Sequence, residues 1–239
     1  MWLRMIKVRR LDPMAEAKRA AARAALREVP SASVVGLGSG STARLFVEEL
    51  AREVSQGLRI VGVPSSEATR ALAASLNIPL LEDEGPWNID VNVDGADEVS
   101  AQLDLIKGGG GAHAREKIVN YASKRNVVIV DDSKLSTFLG EKFPVPVEVL
   151  PFAHATTRSH IARLGIPKLR LRAGAAVRTD AGNLIYDLSV PPITAPAALD
   201  SELRAIPGVV ETGLFVERVD VVFVADGQKV RRLARTRAG

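Results

Sequence analysis

The 239-residue sequence predicts an α/β protein: a parallel-sheet, Rossmann-like domain with a smaller α+β domain of ferredoxin-like order. Two patterns carry this. As far as Val130, short valine- and isoleucine-rich runs alternate with amphipathic stretches of helical period, the mark of a parallel sheet covered on both faces. Around Phe143-Pro144-Val145-Pro146 the order changes to strand, helix, two strands, helix, strand, which is that of a split βαβ unit. The expected division is residues 1–143 with 218–239 for the larger domain and 144–217 for the smaller. Hydrophobic content of 46% and charged content of 25% suit a globular chain able to bury a full core.

The elements follow in order. Residues 12–29 read as a helix: Asp12 can cap, Pro13 suits the first turn, and Met14, Ala17, Ala21 and Ala24 share one stripe. A buried strand at 34–37 runs into GLGSGST, and a second helix carries Phe46, Val47, Leu50 and Val54 at helical spacing. Strands are expected at 58–63, 79–81, 89–93 and 126–130, with helices at 66–76 and 113–124. In the smaller domain we expect a strand at 145–149, a helix at 152–164, and a hairpin of 168–179 with 184–190 turning at Asp180-Ala181-Gly182-Asn183. A helix at 195–205 and a strand at 209–215 complete it, and the strand at 219–224 returns to the larger sheet. In such a sheet, ligands gather at the carboxyl ends of the strands. The segments 38–42, 64–67, 94–98 and 131–134 all lie at such ends.

Composition excludes several classes. Without cysteine there are no disulfides, thiol nucleophiles or thiolate metal sites. No apolar run approaches the roughly 18 residues of a membrane span. The basic start, MWLRMIKVRRLDP, lacks a continuous apolar core and a small-residue cleavage site, so a cytoplasmic location is expected. Net charge is +4, but the cations are scattered and aromatic residues make up only 4%, which argues against nucleic acid as partner. The one basic cluster, Arg231, Arg232, Arg235 and Arg237, reads as a solvated tail.

Chemistry concentrates in residues 94–117, DGADEVSAQLDLIKGGGGAHAREK. Asp94 and Asp97 follow a strand, Lys107 directly precedes four glycines, and a helix with Arg115, Glu116 and Lys117 comes next. Consecutive glycines are costly to order, so they point to close backbone approach or positive φ. Their N–H groups, feeding a helix N-terminus, make a site for negative charge. The bland alternatives are a turn at Asp94-Gly95 and a flexible glycine linker. GLGSGST lacks the lysine of a P-loop, because Gly40 stands there, and Ser41 replaces the third glycine of a dinucleotide fingerprint. Hydroxyls of Ser39, Ser41 and Thr42 at a helix start suit a phosphate monoester; the alternative is that Ser41 or Thr42 merely caps the helix. Asp94 and Asp97 could hold Mg²⁺, but Lys107 supplies compensating charge, and His113, His154 and His160 have no ligand spacing. Glu116, beside an anion site, can have its pKa raised into the range of a useful base.

Taken together, GLGSGST, VPSSEAT, DGADEV, IKGGGGAHAREK, DDSKL, KFPVPVEV and IPGVVETGLF occur in an order that resembles the ribose-5-phosphate isomerases of the A type, from Lys18 to Asp226. The resemblance implies an aldose–ketose isomerase acting on ribose 5-phosphate and ribulose 5-phosphate, without metal or organic cofactor, as a homodimer or homotetramer. It further implies that Ser39, Gly40, Ser41 and Thr42 bind substrate. So would Asp94, Gly95, Ala96 and Asp97, then Lys107, Gly108, Gly109 and Gly110, and Lys134 after the buried strand, with Lys18 near the phosphate. Glu116 takes the proton-acceptor position. Ser39 stands where many members have threonine, Gly111 and His113 depart from the usual small or apolar residues, and residues 1–10 have no counterpart.

The chemistry read from the residues agrees with this. Isomerisation needs a base, assigned to Glu116, and fixed donors where the oxyanion grows, assigned to Lys107 and the glycine N–H groups. Asp94 and Asp97 would handle hydroxyl protons and ring opening. Two other readings remain open: a sugar-phosphate sensor domain without a base, and acyl-CoA transferase-like chemistry.

Overall fold

The structure, a computed structural model, describes residues 13–227 and 229–235. Asp12, the stretch 1–10 and Arg237 lie outside the described residues. The chain runs α1 (Pro13–Ala25), β1 (Ser33–Leu37), α2 (Ser41–Ser55), β2 (Ile60–Pro64), α3 (Glu67–Ser75), β3 (Val91–Asp94), β4 (Glu98–Val99), β5 (Leu105–Ile106), α4 (His113–Tyr121) and β6 (Asn126–Asp131). It continues with β7 (Val145–Val149), α5 (His154–Ile161), β8 (Ile166–Leu169), β9 (Leu171–Arg172), β10 (Ala175–Ala176) and β11 (Leu184–Ser189). The last elements are α6 (Pro196–Arg204), β12 (Val209–Thr212), β13 (Leu214–Phe215), β14 (Val221–Asp226) and β15 (Lys229–Ala234).

The main sheet has the order β15-β14-β6-β3-β1-β2, parallel except for the β14–β15 pair. Strand alternation builds its two faces. Val127 and Ile129 of β6 join Phe46, Val47, Leu50, Ala21 and Ala25 in the layer under α1 and α2. Val128 and Val130 of the same strand turn the other way, toward Leu105, Phe215, Val222 and Val224. Because β6 is buried on both faces, it is apolar almost throughout.

The smaller sheet has the order β12-β7-β11-β8, antiparallel throughout, with α5 and α6 in the crossovers. That is the expected ferredoxin-like arrangement. Its own apolar cluster gathers Val145, Val147, Ile161, Tyr186, Leu188 and Leu203.

Several expected elements differ. The strand expected at 168–179 ends at Leu169, and a turn at Ala173 and Gly174, both at positive φ (49° and 82°), folds the following residues into the small β9–β10 hairpin. The strand expected at 209–215 breaks at Gly213, which donates to Pro146 O (2.7 Å) and accepts from Lys107 N (2.9 Å). Leu214 and Phe215 then pair with β5, forming a three-stranded sheet with β4 that the sequence pattern does not announce. The strand at 79–81 is reduced to a single bridge, Gly62 to Leu80. The basic tail is not simply a solvated end: Arg231 and Arg232 lie on β15, Arg232 pairs with Glu28 at 3.5 Å, and Arg235 reaches Asp104 at 2.6 Å.

Candidate active site

The carboxyl ends of β1, β3 and β6 meet at one cleft. After β1 the chain passes so close to β3 that a Cβ on Gly38 would lie 2.1 Å from Asp94 Oδ1 and 2.6 Å from its Cα. Only glycine fits there. This close passage lets Ser39 N donate to Asp94 Oδ1 at 3.0 Å. Ser39 Oγ lies 2.8 Å from both Ser65 Oγ and Ser66 Oγ, tying the loop to the end of β2. Gly40, not Ser41 or Thr42, is the N-cap of α2, and no side chain caps that end. The first-turn N–H groups of a fifteen-residue helix therefore remain available at its positive end. Ser41 and Thr42 line the cleft, and Lys18 Nζ donates to Ser41 Oγ at 3.1 Å. Lys134 enters from the turn after β6.

The floor of the cleft is ionic. Lys107 is 4% exposed, and its ammonium lies 2.9 Å from Asp94 Oδ2, 2.6 Å from the Gly95 carbonyl and 3.3 Å from Glu116 Oε2. Glu116 comes from the first turn of α4, and Asp97 from the loop between β3 and β4. Asp97 Oδ2 accepts from Gly109 N at 2.7 Å. Gly95, Ala96, Gly108, Gly109 and Gly110 complete the wall. Asp94 alone among the expected residues stands beneath the cleft rather than on its lining. Its Oδ1 accepts from Ser39 N and Gly95 N, and its Oδ2 faces Lys107.

Burial raises the Glu116 pKa to about 8; Lys107 opposes that rise, and the charges of Asp94 and Asp97 add to it. For Lys107, burial works against the cation, yet Asp94, Glu116 and Asp97 outweigh it and hold the ammonium charged above its ordinary range. A carboxyl group with a raised pKa and a charged ammonium thus sit side by side out of bulk water.

The neighbours of Glu116 are not solvated helix charges. Lys117 is buried and pairs with Glu211 at 2.8 Å, while Arg115 pairs with Glu67 at 2.6 Å. His113 is fully buried behind Gly108, whose φ is +105°, and a Cβ there would come within 2.6 Å of the imidazole. Burial, then Lys117 and Arg170, lower the His113 pKa to about 3, so the ring is neutral. His154 lies 2.7 Å from the Tyr186 hydroxyl and His160 is on the surface. Sequence reasoning missed Arg170, which reaches the glycine loop from the smaller sheet, because no local motif marks it. The VPSSEAT segment did carry a signal for Ser65 and Ser66. Among the described residues, no three or more His, Asp or Glu side chains are grouped to hold a metal.

Residues 61–229 match the family model of ribose 5-phosphate isomerase A (phosphoriboisomerase A). The chain belongs to this family. Curated members of the ribose 5-phosphate isomerase A family include a Thermomicrobium roseum protein, 45% identical over 92% of this chain and 94% of its own length. A Chloroflexus aurantiacus member is 47% identical over 93% and 95%. Among solved structures, ribose 5-phosphate isomerase A from Methanocaldococcus jannaschii aligns with a TM-score of 0.86 at 41% identity, over 92% of this chain and 98% of that one. A D-ribose-5-phosphate isomerase in complex with phospho-erythronic acid aligns with a TM-score of 0.89 at 39% identity, over 93% and 99%.

Proposed function

We propose that this chain interconverts D-ribose 5-phosphate and D-ribulose 5-phosphate by moving one proton between C2 and C1 through an enediolate. The observation that carries this reading is the buried Glu116–Lys107 pair on the floor of a cleft whose opposite wall is the uncapped start of α2. Family membership supports it, as does a relative that holds phospho-erythronic acid, an acid bearing a phosphate. Glu116 takes the C2 proton and returns it to C1. Lys107, with the N–H of the glycine loop, stabilises the charge that grows on the oxygens. Asp97 relays the oxygen proton from O2 to O1 and assists ring opening. Asp94, with both oxygens engaged, orients Lys107 and the Ser39 loop. The phosphate rests on Gly40, Ser41 and Thr42 with Lys18 and Lys134, and its binding energy orients the reacting carbons. Formation of ribulose 5-phosphate from ribose 5-phosphate by the purified protein tests the assignment; no turnover would overturn it.

We further propose residues 1–143 with 218–239 as the catalytic domain and 144–217 as the smaller one, a division supported by the apolar cluster centred on each sheet, with Ile106 and Leu139 joining the smaller cluster and Phe215 the larger domain. Assembly as a homodimer or homotetramer and a cytoplasmic location belong to the same proposal. Exposed Phe152 and Ile166 supply apolar surface for such an assembly.

Two expected results follow from the site. A base must be ionised to act, so kcat/KM should fall as pH drops through about 8, the Glu116 value. An acid limb near pH 4.5, the ordinary carboxylate value, would mean that burial does not govern this group. In addition, inorganic phosphate should compete with substrate, and Ser41→Ala should weaken ribose 5-phosphate binding by about 1–3 kcal/mol through a lost charge-assisted hydrogen bond. Equal binding of unphosphorylated ribose would place the phosphate elsewhere.

A further inference from the structure

The glycine loop is steered from outside the main sheet. Arg170, in the link between β8 and β9, extends Nη1 to the Gly108 carbonyl at 2.7 Å and to the Gly109 carbonyl at 3.2 Å. The rest of its guanidinium is held by Asp187 of β11, through Nε at 3.0 Å and through Nη2. The Arg170 side chain is only 13% exposed and does not line the cleft.

A trans peptide is planar, with its C=O and N–H pointing in opposite directions. A cation that gathers two successive carbonyls therefore aims the two following N–H groups the other way. One of these, Gly109 N–H, meets Asp97 at 2.7 Å. The other belongs to Gly110, which is exposed and lines the cleft. His113 backs the loop at Gly108, leaving little room for another path.

Building on the isomerase reading, we infer that Arg170, locked by Asp187, is a positioning residue that presents the Gly110 N–H to the developing enediolate oxyanion and fixes Asp97 through Gly109. A planar guanidinium suits this role because its fork can hold a carboxylate and two carbonyls at once, whereas a lysine cannot.

The test compares wild type, Arg170→Ala, Arg170→Lys and Asp187→Asn for kcat, KM, and inhibition by phospho-erythronic acid and by inorganic phosphate. Arg170→Ala should lower kcat by about 10²-fold, the order seen when one oxyanion donor is lost, with KM little changed. Phospho-erythronic acid, whose carboxylate stands in for the enediolate oxygens, should lose affinity far more than inorganic phosphate does. Arg170→Lys and Asp187→Asn should show the same split in weaker form, and they carry the test if Arg170→Ala does not fold. Unchanged kcat, or a parallel loss of phosphate and phospho-erythronic acid binding, would overturn the inference and leave Arg170 a structural brace. Failure of wild type to turn over ribose 5-phosphate would instead overturn the isomerase reading.

Discussion

Glu116→Gln should lower kcat for ribose 5-phosphate isomerisation by about 10²–10⁴, the usual cost of losing a positioned general base. Glutamine keeps the size of the side chain and can still meet Lys107 from the first turn of α4, so the cleft should stay formed. Substrate affinity should change little, because the proposed phosphate wall of Gly40, Ser41 and Thr42 lies on a different element. The substitution removes only the group whose burial has lifted its pKa to about 8. Steady-state kinetics check this through kcat and KM separately. A KM rise with kcat intact would make Glu116 a binding residue.

Lys107→Met should be comparably damaging, for two reasons. The ammonium is the fixed positive charge nearest the proposed oxyanion, and removing such a group from a dry site costs about 10²–10³ in kcat. It also leaves Asp94 and Glu116 facing each other without a cation between them. Breaking one partner out of a buried ionic group destabilises by about 3–5 kcal/mol, so the melting temperature should fall as well. The pH profile separates the two effects. Because Lys107 opposes the rise in the Glu116 pKa, its loss should push the acid limb above the wild-type position near 8. The residual rate should therefore climb with pH where wild type is already level. A limb that stays in place, with activity near normal, would show that Lys107 does not act on Glu116.

Much of this site was readable in the sequence because its parts are local. Asp94, Asp97, Lys107, the glycines and Glu116 lie within one stretch, and GLGSGST supplies both the turn and the helix start that line the cleft. The convergence of strand ends then followed from the alternation of strands and helices. What could not be read depends on distant partners. Asp94 carries the same motif weight as Asp97, yet only the close approach of Gly38 reveals that its oxygens are already occupied. Arg170 and Asp187 lie in ordinary strand sequence, and their effect appears only when the smaller sheet meets the glycine loop. The strands β4, β5 and β13 are two residues each, too short for any period to show, and β15 reads as a run of charge because one edge strand faces solvent.

The most direct test of Glu116 as the proton carrier is exchange of the substrate's C2 hydrogen with solvent, followed by nuclear magnetic resonance in deuterium oxide. Wild-type protein should wash deuterium into the sugar phosphate during turnover. Glu116→Gln should abolish that exchange, while inorganic phosphate still competes for the cleft. Exchange that persists in Glu116→Gln and disappears in Asp97→Asn would contradict the account and make the aspartate the base.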